Sequence, residues 1–363
     1  MKEYKVGIIG ATGMVGQRFV SLLESHPWFK LTAVAASSRS AGKTYKEAVT
    51  GRWQMPKPMP AEAGGLIVYD AQADIDKISK SVDFVFSAVD MKKDEIKALE
   101  LAYAKAECPV ISNNSAHRWT PDVPMIIPEV NPEHAEIIKS QRKRLGTERG
   151  FIAVKSNCSL QSYLPALHPL KDTFGLTHAL VCTYQAISGA GKNFDTWPEM
   201  IDNVIPLISG EEEKSEQEPL KVWGKIVGNE IVPAASMPIS SQCIRVPVTD
   251  GHMAAAFMTF EKKPAIDEIK HIWREFKGRP QALNLPSAPK QFLHYFEEPD
   301  RPQTGLDRML EDGMAISLGR LRCDNQYDYK FIGLSHNTLR GAAGGAVLLA
   351  ELLCADGFIT GHI

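Results

Sequence analysis

Apolar and polar positions follow one pattern over residues 1–155 and another over residues 156–335. In the first region, short apolar runs alternate with segments whose apolar residues recur at helical spacing, which predicts a parallel sheet covered by helices on both faces. The run at residues 83–89 has the continuous apolar character of a buried parallel strand. Strands are predicted at residues 4–9, 31–35, 66–69, 82–89, 109–112 and 125–127, and helices at residues 17–24 and 92–105.

The second region contains longer β-rich runs, which indicate a separate domain built on a largely antiparallel or mixed sheet. A segment rich in small residues at 337–345 then leads into a helix that runs through Leu353. We expect this helix to pack back on the first domain, so residues 336–363 complete the domain formed by residues 1–155, and residues 156–335 form the second. Strands in the second domain are predicted at residues 178–186, 243–248, 252–261, 313–322 and 329–334.

A glycine-rich turn joins the first predicted strand to the first predicted helix, with glycines at positions 10, 13 and 16. Such glycines let a ligand approach the backbone closely, and the helix N-terminus that follows can receive a phosphate. The spacing is G-x-x-G-x-x-G rather than the more familiar G-x-G-x-x-G, so a tight turn without a ligand stays an alternative. With the alternating elements, the turn predicts an α/β fold with a Rossmann-like dinucleotide-binding domain followed by an α+β domain.

The end of the second predicted strand indicates which dinucleotide is bound. An NAD-specific fold normally has an acidic residue here to hold the ribose hydroxyls. This chain has Ser37, Ser38 and Arg39 instead, which favours the 2′-phosphate of NADP, although a solvated loop arginine is the alternative. Ser87, at the carboxyl end of the buried strand, lies where doubly wound sheets place their ligands.

Composition narrows the classes of partner. A chain of 363 residues holds about two domains. Its formal net charge of -2 gives no electrostatic case for nucleic acid or an acidic membrane, and no run approaches the roughly 18 apolar residues that span a bilayer. Small molecules are the expected partners, and the absence of a secretory signal pattern predicts a cytoplasmic protein. The six cysteines are scattered without a C-x-x-C pair, which argues against zinc and disulfides, so no metal is predicted.

Cys158 is the first candidate for chemistry. It follows the apolar run at 151–154 and precedes a predicted helix that begins near Ser159. At a helix N-terminus, the unpaired N–H groups and the helix dipole favour a thiolate, which is the nucleophilic form of cysteine. The alternative is a small residue of the apolar core, because free cysteine is among the most buried residue types.

Several blocks, in this order along the chain, resemble aspartate-semialdehyde dehydrogenases, and most closely their archaeal and fungal branch. The blocks are the glycine turn at 10–16, Ser-Asn-Cys-Ser at 156–159, Tyr-Gln-Ala-Ile-Ser-Gly-Ala-Gly at 184–191, the Glu-Glu-Glu-Lys run at 211–214, and Arg245 with His252. The resemblance implies NADPH-dependent reductive dephosphorylation of L-aspartyl 4-phosphate to L-aspartate 4-semialdehyde and phosphate, in lysine, threonine and methionine biosynthesis.

The same resemblance implies roles for three catalytic residues. Cys158 would be the nucleophile that displaces phosphate and carries the acyl group as a thioester. His252 would be the base that takes the thiol proton and acts again on the thiohemiacetal, since imidazole titrates near neutral pH. Gln185 would orient the substrate near Cys158. Without the resemblance, His252 and Gln185 are ordinary polar residues of a strand.

The resemblance also assigns a partner to each ionic group of the substrate. Arg245 would hold the α-carboxylate through two parallel hydrogen bonds. Glu211 would hold the α-ammonium, although the run of three glutamates at 211–213 leaves the choice among them open. Lys214 and Arg118 would bind the departing phosphate. Taken alone, Glu211 and Lys214 form the i,i+3 ion pair of an exposed helix.

The resemblance also implies which residues contact NADP. Because the family is oligomeric, the resemblance implies a homodimer or homotetramer as well. Residues 12–15, with Gly10, would line the pyrophosphate, and Asn337 would contact the carboxamide. The full cofactor set is Gly10, Thr12, Gly13, Met14, Val15, Ser37, Ser38, Arg39, Ser87, Ser188, Gly189 and Asn337.

Two enzymes and one non-enzyme remain alternatives. N-acetylglutamyl-phosphate reductase usually has Pro-Gly-Cys at its nucleophile, whereas this chain has Ser-Asn-Cys. Malonyl-CoA reductase uses the same thioester chemistry and could use the same carboxylate clamp. A catalytically silent NADP-binding sensor would have lost the nucleophile or the base, yet Cys158 and His252 are both present.

Overall fold

The first sheet contains six parallel strands in the order β3-β2-β1-β4-β5-β6. The computed structural model describes residues 3–235 and 238–361. The change in strand order on either side of β1 forms the crevice in which doubly wound sheets bind ligands. The strands are β1 Tyr4–Ile9, β2 Phe29–Ala36, β3 Val68–Asp70, β4 Phe84–Ser87, β5 Val110–Ser112 and β6 Ile152–Val154.

Helices cover both faces of this sheet, as the alternating pattern predicts. Phe19 of the first helix stacks on Phe86 of β4 with ring centroids 4.5 Å apart, which fixes the helix that follows the glycine turn. The helices are α1 Met14–Leu22, α2 Tyr45–Val49, α3 Ala61–Gly64, α4 Ile75–Ser81, α5 Lys93–Lys105 and α6 Ile138–Leu145, and a 3-10 helix at Pro132–Ile137 precedes α6.

The strand predicted at residues 125–127 is wrong. The segment makes a single bridge, from Met125 to Val154. The amide side chain of Asn131 takes the place of a neighbouring strand: its Oδ1 accepts from the Ile127 N–H at 2.8 Å, and its Nδ2 donates to the Met125 carbonyl at 2.9 Å. Two backbone groups of the segment are therefore bonded to a side chain rather than to a neighbouring strand, and no regular strand forms.

The second sheet is mixed and has the order β10-β7-β11-β14-β13-β12. Strand β10 begins four residues earlier than the predicted 243–248, because it pairs in parallel with β7 from Ile239 to Arg245. The hairpin of β8 and β9 and the four-residue strand β12 were not predicted. The strands are β7 Leu176–Gln185, β8 Lys225–Val227, β9 Glu230–Val232, β10 Ile239–Arg245, β11 His252–Phe260, β12 Leu293–Phe296, β13 Ile316–Cys323 and β14 Tyr329–Ser335.

One face of this sheet packs on helices and the other is open. Trp273 is fully buried in the core beneath the sheet, and its Nε1 donates to the Ala166 carbonyl at 2.8 Å. The helices of this region are α7 Leu164–Phe174, α8 Glu211–Val222, α9 Ile266–Glu275, α10 Arg279–Ala282 and α11 Thr304–Asp307, with 3-10 helices at Ser159–Ser162, Ile187–Ala190, Pro198–Met200 and Leu310–Gly313.

The C-terminal segment returns to the first sheet. After β14 the chain forms a π-helix at Leu339–Ala343 and then α12 at Gly344–Ala355. Helix α12 is buried on all sides and contacts β5 and α1, which explains why its sequence is apolar all round. The π-helix that leads into α12 contacts both α1 and the 3-10 helix that follows β6. Within the described ranges, none of the helices is both long and apolar enough for a membrane span.

Candidate active site

Cys158 lies four residues after β6, at the start of the 3-10 helix Ser159–Ser162. The Asn157 side chain organises this loop, since its Oδ1 accepts from the Ser159 N–H at 2.8 Å and from the Ser159 hydroxyl at 2.7 Å. The predicted helix therefore starts where expected, but only as a short 3-10 turn, and the α-helix begins at Leu164.

Cys158 is partly buried, and its pKa depends on burial and on the charges around it. Burial raises the pKa of the Cys158 thiol, and the nearby Glu211 carboxylate raises this pKa further. Three cations, Lys155, Arg118 and Arg245, oppose the increase. A short 3-10 turn adds little to them, because the dipole of a helix grows from many aligned peptides. The thiolate of this protein must therefore be stabilised by side chains.

A cavity of about 260 Å³ brings Cys158 together with residues from both ends of the chain. Its position between the first sheet and the returning C-terminal segment unites seven predicted residues besides Cys158: Val15, Arg118, Ser188, Gly189, Glu211, Lys214 and Asn337. The lining also includes Asn113, Asn114, Ser115, Lys155, Asn157, Thr338, Gly341 and Ala342.

His252 and Arg245 lie side by side beneath Gly189. A β-carbon at position 189 would stand 2.9 Å from Nη1 of Arg245 and 3.0 Å from Nε2 of His252, so glycine is needed for this close approach. Arg245 donates from Nη1 to the Ala186 carbonyl at 2.7 Å, and His252 Nδ1 accepts from the Ala186 N–H at 3.1 Å. Residues 186–189 thus hold both side chains.

The environment of His252 keeps its ring neutral. Burial, reinforced by the charge of Arg245, lowers the pKa of His252 to about 3. The sequence led us to expect an imidazole that titrates near neutral pH, whereas the surroundings of the ring in this structure lower its pKa. The ring Nε2 is buried and has no hydrogen-bond partner within the described part of the chain, which leaves it available to a substrate atom.

The structure distinguishes the three glutamates at the start of α8. Glu211 lines the cavity and forms an ion pair with Lys214 at 2.7 Å, whereas Glu212 bonds the Gln242 side chain and Glu213 is exposed. Burial by itself would raise the pKa of Glu211, but Lys214, with hydrogen bonds from Asn157 and Gln185, holds this pKa below its usual value. Glu211 is therefore an anion that faces the cavity.

Gln185 reaches the same carboxylate from the end of β7. Its Nε2 lies 3.3 Å from Glu211 Oε2 and 3.2 Å from the Thr183 hydroxyl, and its side chain is buried. Both bonds come from the Gln185 amide nitrogen. The Asn157 amide nitrogen also donates to Glu211, so the Glu211 carboxylate is held from two sides.

Arg118 is already held by protein groups. Its Nη1 forms a buried ion pair with Glu218 at 2.8 Å, and its Nε donates to the Lys155 carbonyl at 3.0 Å. Glu218 Oε2 also accepts from the Asn157 N–H at 2.6 Å, so the Arg118–Glu218 pair is tied directly to the nucleophile loop. Phosphate binding by Arg118 remains a prediction.

A second cavity, of about 630 Å³, lies at the carboxyl end of β1 and β2. The glycine turn forms its floor: a β-carbon at Gly10 would stand 2.4 Å from the Ala88 carbonyl oxygen, and one at Gly16 would stand 2.2 Å from the Gly10 carbonyl oxygen. Six predicted cofactor residues line this cavity, namely Gly10, Thr12, Gly13, Ser37, Ser38 and Arg39. The exposed Arg39 suits the 2′-phosphate of NADP.

The other predicted cofactor residues divide into two groups: Val15, Ser188, Gly189 and Asn337 line the cavity of Cys158, and Ser87 and Met14 line neither cavity. Ser87 is fully buried, and its hydroxyl donates to Glu100 at 2.6 Å, so it contacts the interior of the domain rather than a cavity. Met14 begins α1 and is not among the residues that line either cavity. Asn337 accepts from the Gly251 N–H at 2.8 Å and donates to the Ser188 hydroxyl at 2.9 Å, so it links the segment of Ser188 to the turn that precedes β11.

Replacing Arg39 with alanine is expected to weaken NADP binding about 10- to 100-fold while changing NAD binding little. A charge-assisted hydrogen bond contributes about 1.5 to 3 kcal/mol, and only NADP carries the 2′-phosphate. Calorimetric titration with each dinucleotide measures the difference. The exposed Arg274 of α9 supplies a matched control, since Arg274→Ala removes the same charge far from this cavity. Equal losses for NADP and NAD would remove Arg39 from the 2′-phosphate site.

Two sequence families match the chain: "Semialdehyde dehydrogenase, NAD binding domain" over residues 5–138, and "Semialdehyde dehydrogenase, dimerisation domain" over residues 167–340. The aspartate-semialdehyde dehydrogenase of Archaeoglobus fulgidus is 43% identical over 357 residues, which cover 98% of this chain and 100% of the relative. The chain belongs to the aspartate-semialdehyde dehydrogenase family.

Other aspartate-semialdehyde dehydrogenases agree with this assignment. The Saccharomyces cerevisiae protein is 40% identical over 365 residues, covering 97% of this chain and 98% of the relative. The crystal structure of the Candida albicans enzyme, solved with NADP, aligns with a TM-score of 0.89 at 38% identity and covers 99% of this chain and 100% of that one. The archaeal and fungal resemblance and the fold class predicted from the sequence are confirmed.

Sequence reasoning missed several residues of this semialdehyde dehydrogenase site. Lys155, Asn157 and Glu218 surround the nucleophile loop, and Gly341 packs against Cys158. Lys155 directly follows an apolar run in the sequence. A lysine at such a position indicates a buried amine that is bonded to specific partners. The described residues contain no cluster of three His, Cys, Asp or Glu side chains that could hold a metal ion.

Proposed function

We propose that this chain catalyses the NADPH-dependent reductive dephosphorylation of L-aspartyl 4-phosphate to L-aspartate 4-semialdehyde and phosphate, a step of lysine, threonine and methionine biosynthesis. One observation carries the proposal. The cavity beside Cys158 presents an anion at Glu211 and cations at Lys214 and Arg118, and Arg245 lies next to it. This charge pattern complements a small substrate that bears an ammonium, a carboxylate and a phosphate.

Cys158 attacks the acyl carbon and displaces phosphate, which leaves a thioester on the protein. NADPH supplies the hydride that reduces this thioester. His252 then stabilises the thiohemiacetal. Its Nε2 is buried, has no partner in the described ranges, and lies close to Gly189 at the cavity wall. A neutral ring that presents Nε2–H donates to the developing oxyanion, which is where such a donor lowers the barrier.

Each charged group of the substrate is assigned to a residue of opposite charge. Arg245 uses one nitrogen on the Ala186 carbonyl, and its remaining donors serve the α-carboxylate. Glu211, supported by Gln185 and Asn157, accepts the α-ammonium. Lys214, half-exposed beside the cavity, moves from Glu211 to the phosphate when the substrate ammonium takes its place. Arg118 stays paired with Glu218 and adds its charge to the phosphate site.

NADP fits the residues present. The glycine turn offers the close backbone approach that a pyrophosphate needs, and the cavity of about 630 Å³ ends at Ser37, Ser38 and Arg39. Thr12 and Gly13 line the same cavity, while Val15 lines the one that holds Cys158, so the start of α1 borders both cavities. Ser188, Gly189 and Asn337 line the cavity of Cys158 and would hold the nicotinamide end of NADP.

We also propose a homodimer formed through the open face of the second sheet. Half-exposed apolar side chains lie side by side there: Tyr184 opposes Met253, and Leu180 opposes Phe257 across β7 and β11. An open apolar face of this kind is typical of an interface. Sedimentation is expected to give twice the chain mass of 40.0 kDa, and Tyr184→Glu is expected to weaken the association. A monomer at micromolar concentration would contradict this.

The decisive assay supplies NADP, phosphate and aspartate semialdehyde and follows NADPH formation. Turnover that requires all three supports the proposal. Turnover of malonyl-CoA with NADPH, combined with no reaction of the semialdehyde, would replace the proposal by malonyl-CoA reductase. NADP binding without turnover of either would favour the sensor. A cytoplasmic location, predicted from the sequence, is part of the same proposal.

A further inference from the structure

The side chain of Gln17, in the first turns of α1, bonds the glycine turn that precedes this helix. Gln17 is buried, with only 2% of its surface exposed. Its Nε2 donates to the Thr12 carbonyl at 3.0 Å and to the Arg52 carbonyl at 2.9 Å, and its Oε1 accepts from the Gln54 N–H at 2.8 Å. Both N–H groups of the amide and its oxygen therefore have partners.

These partners allow one orientation of the Gln17 amide. Two of them are backbone carbonyls, which only accept hydrogen bonds, and the third is a backbone N–H, which only donates. Exchanging the nitrogen and the oxygen would place like groups against each other at all three contacts. The loop between α2 and α3, which contains Arg52 and Gln54, supplies two of the three partners and thereby fixes the donor at the Thr12 carbonyl.

Three consecutive carbonyls of the glycine turn are bonded to groups of the protein. The Ala11 carbonyl accepts from the buried Tyr45 hydroxyl at 2.8 Å. The Thr12 carbonyl accepts from the Gln17 side chain, and the Gly13 carbonyl accepts from the Gln17 N–H at 2.8 Å. Backbone N–H groups attract a phosphate, whereas a carbonyl oxygen repels it. These bonds therefore keep three repelling oxygens in place.

The peptide unit between Thr12 and Gly13 is the one that the Gln17 amide controls. Its N–H donates to the Gly10 carbonyl at 3.2 Å, at the long end of the usual range. Thr12 and Gly13 both line the cavity of about 630 Å³. Without the Gln17 donor, the Thr12 oxygen would have no partner within residues 3–235 and 238–361. Because rotation at a glycine meets no β-carbon, we expect this oxygen then to turn toward the cavity.

We propose that Gln17 is a positioning residue for the pyrophosphate of NADP. Its buried amide holds the Thr12 oxygen toward the interior of the domain, so the turn and the start of α1 present N–H groups to the phosphates. The Tyr45 hydroxyl acts in the same way on the Ala11 carbonyl. The inference rests on NADP binding at the glycine turn, which is part of the proposed function.

Gln141 of α6 provides a matched control. It is fully buried, its Nε2 donates to the Asp122 carbonyl at 2.8 Å and to the Ile152 carbonyl at 2.9 Å, and its Oε1 accepts from the Ile152 N–H at 2.6 Å. These bonds match those of Gln17 in number and kind, but they do not involve the glycine turn. Methionine is unbranched like glutamine and lacks the amide, so it replaces either side chain.

Calorimetric titration of the full chain with NADP compares the two variants. Gln17→Met is expected to weaken NADP binding about 10-fold or more, because the Thr12 oxygen is freed beside the pyrophosphate. Gln141→Met is expected to bind NADP like the wild type, although its melting temperature should fall by a similar amount. Unchanged NADP affinity in folded Gln17→Met, or an equal loss in both variants, would overturn the proposal.

Adenosine 2′-monophosphate separates positioning from a general loosening of the domain. This fragment carries the adenosine and the 2′-phosphate assigned to Arg39, but it has no pyrophosphate. Gln17→Met is therefore expected to bind the fragment like the wild type in the same titration. A loss for the fragment as large as the loss for NADP would show a general loosening and would overturn the proposal.

Tyr45→Phe keeps the test available if Gln17→Met does not fold. It removes the donor to the Ala11 carbonyl but keeps the ring, and it is expected to weaken NADP about 3-fold and leave the fragment unaffected. Tyr329→Phe is its control, because that hydroxyl donates to the Pro264 carbonyl in the second domain. Wild-type NADP affinity in Tyr45→Phe would then overturn the proposal. A wild-type protein that bound no NADP would overturn the cofactor assignment as well, whereas the other outcomes concern the glycine turn alone.

Discussion

Replacing Cys158 with alanine is expected to lower the phosphate-dependent oxidation of aspartate semialdehyde by about 10⁴-fold or more, while NADP still binds. The loss is large because the acyl group has no other carrier, and the residual rate would come from binding and orientation alone. Cys158 lines the smaller cavity and the glycine turn lines the larger one, so we expect turnover to be lost without loss of NADP binding. NADPH formation measures the first, and calorimetric titration measures the second.

The exposed Cys323 provides the matched control for this experiment. Cys323→Ala removes a thiol of the same kind from the end of β13 and is expected to keep wild-type turnover. If Cys158→Ala kept a substantial fraction of the wild-type rate in a preparation free of wild-type protein, Cys158 would have no covalent role, and the thioester mechanism would have to be abandoned.

The first domain follows closely from local sequence patterns. The buried strand at Phe84–Ser87, the glycine turn and the helix Lys93–Lys105 each carry their own signal in apolar spacing, and the structure confirms all three. The exception, residues 125–127, failed because the bonds that satisfy its backbone come from the side chain of Asn131, six residues beyond Met125. No spacing rule shows that a side chain will replace a strand.

The second domain was predicted less well because its strands pair over long sequence distances. The start of β10 at Ile239 is set by its pairing with Ala179 of β7, sixty residues earlier in the chain. Its first residues, Ile239, Ser240 and Ser241, alternate in burial but contain only one large apolar side chain. The local signal therefore favoured the later apolar positions, and tertiary pairing determined the real bounds.

The sequence predicted which residues form the site but not the surroundings that shift their pKa values. The sequence identified Cys158 and His252, yet not that burial raises the pKa of the first and lowers that of the second. These effects depend on the approach of Gly341 and Gly189, which come from distant segments. Lys155 was missed for the same reason: it lines the cavity of Cys158, and its amine bonds the Gly341 carbonyl, which comes from a segment 186 residues away.

Replacing His252 with alanine is expected to lower kcat by about 10²- to 10⁴-fold with little change in KM for the semialdehyde, because the donor at Nε2 acts on the reacting oxygen rather than on the substrate ends. Steady-state assays measure both constants, and His178→Ala, at an exposed histidine of β7, is the matched control.

The pKa of about 3 for His252 adds a second test, the pH dependence of the reaction. His252 gains a second proton only below that value, so between about pH 6 and pH 9 the ring of the free protein stays neutral and His252→Ala leaves the shape of the kcat/KM profile unchanged. An acid limb near pH 6 that disappeared in the alanine variant would show that His252 titrates there, and the donor role would then be wrong.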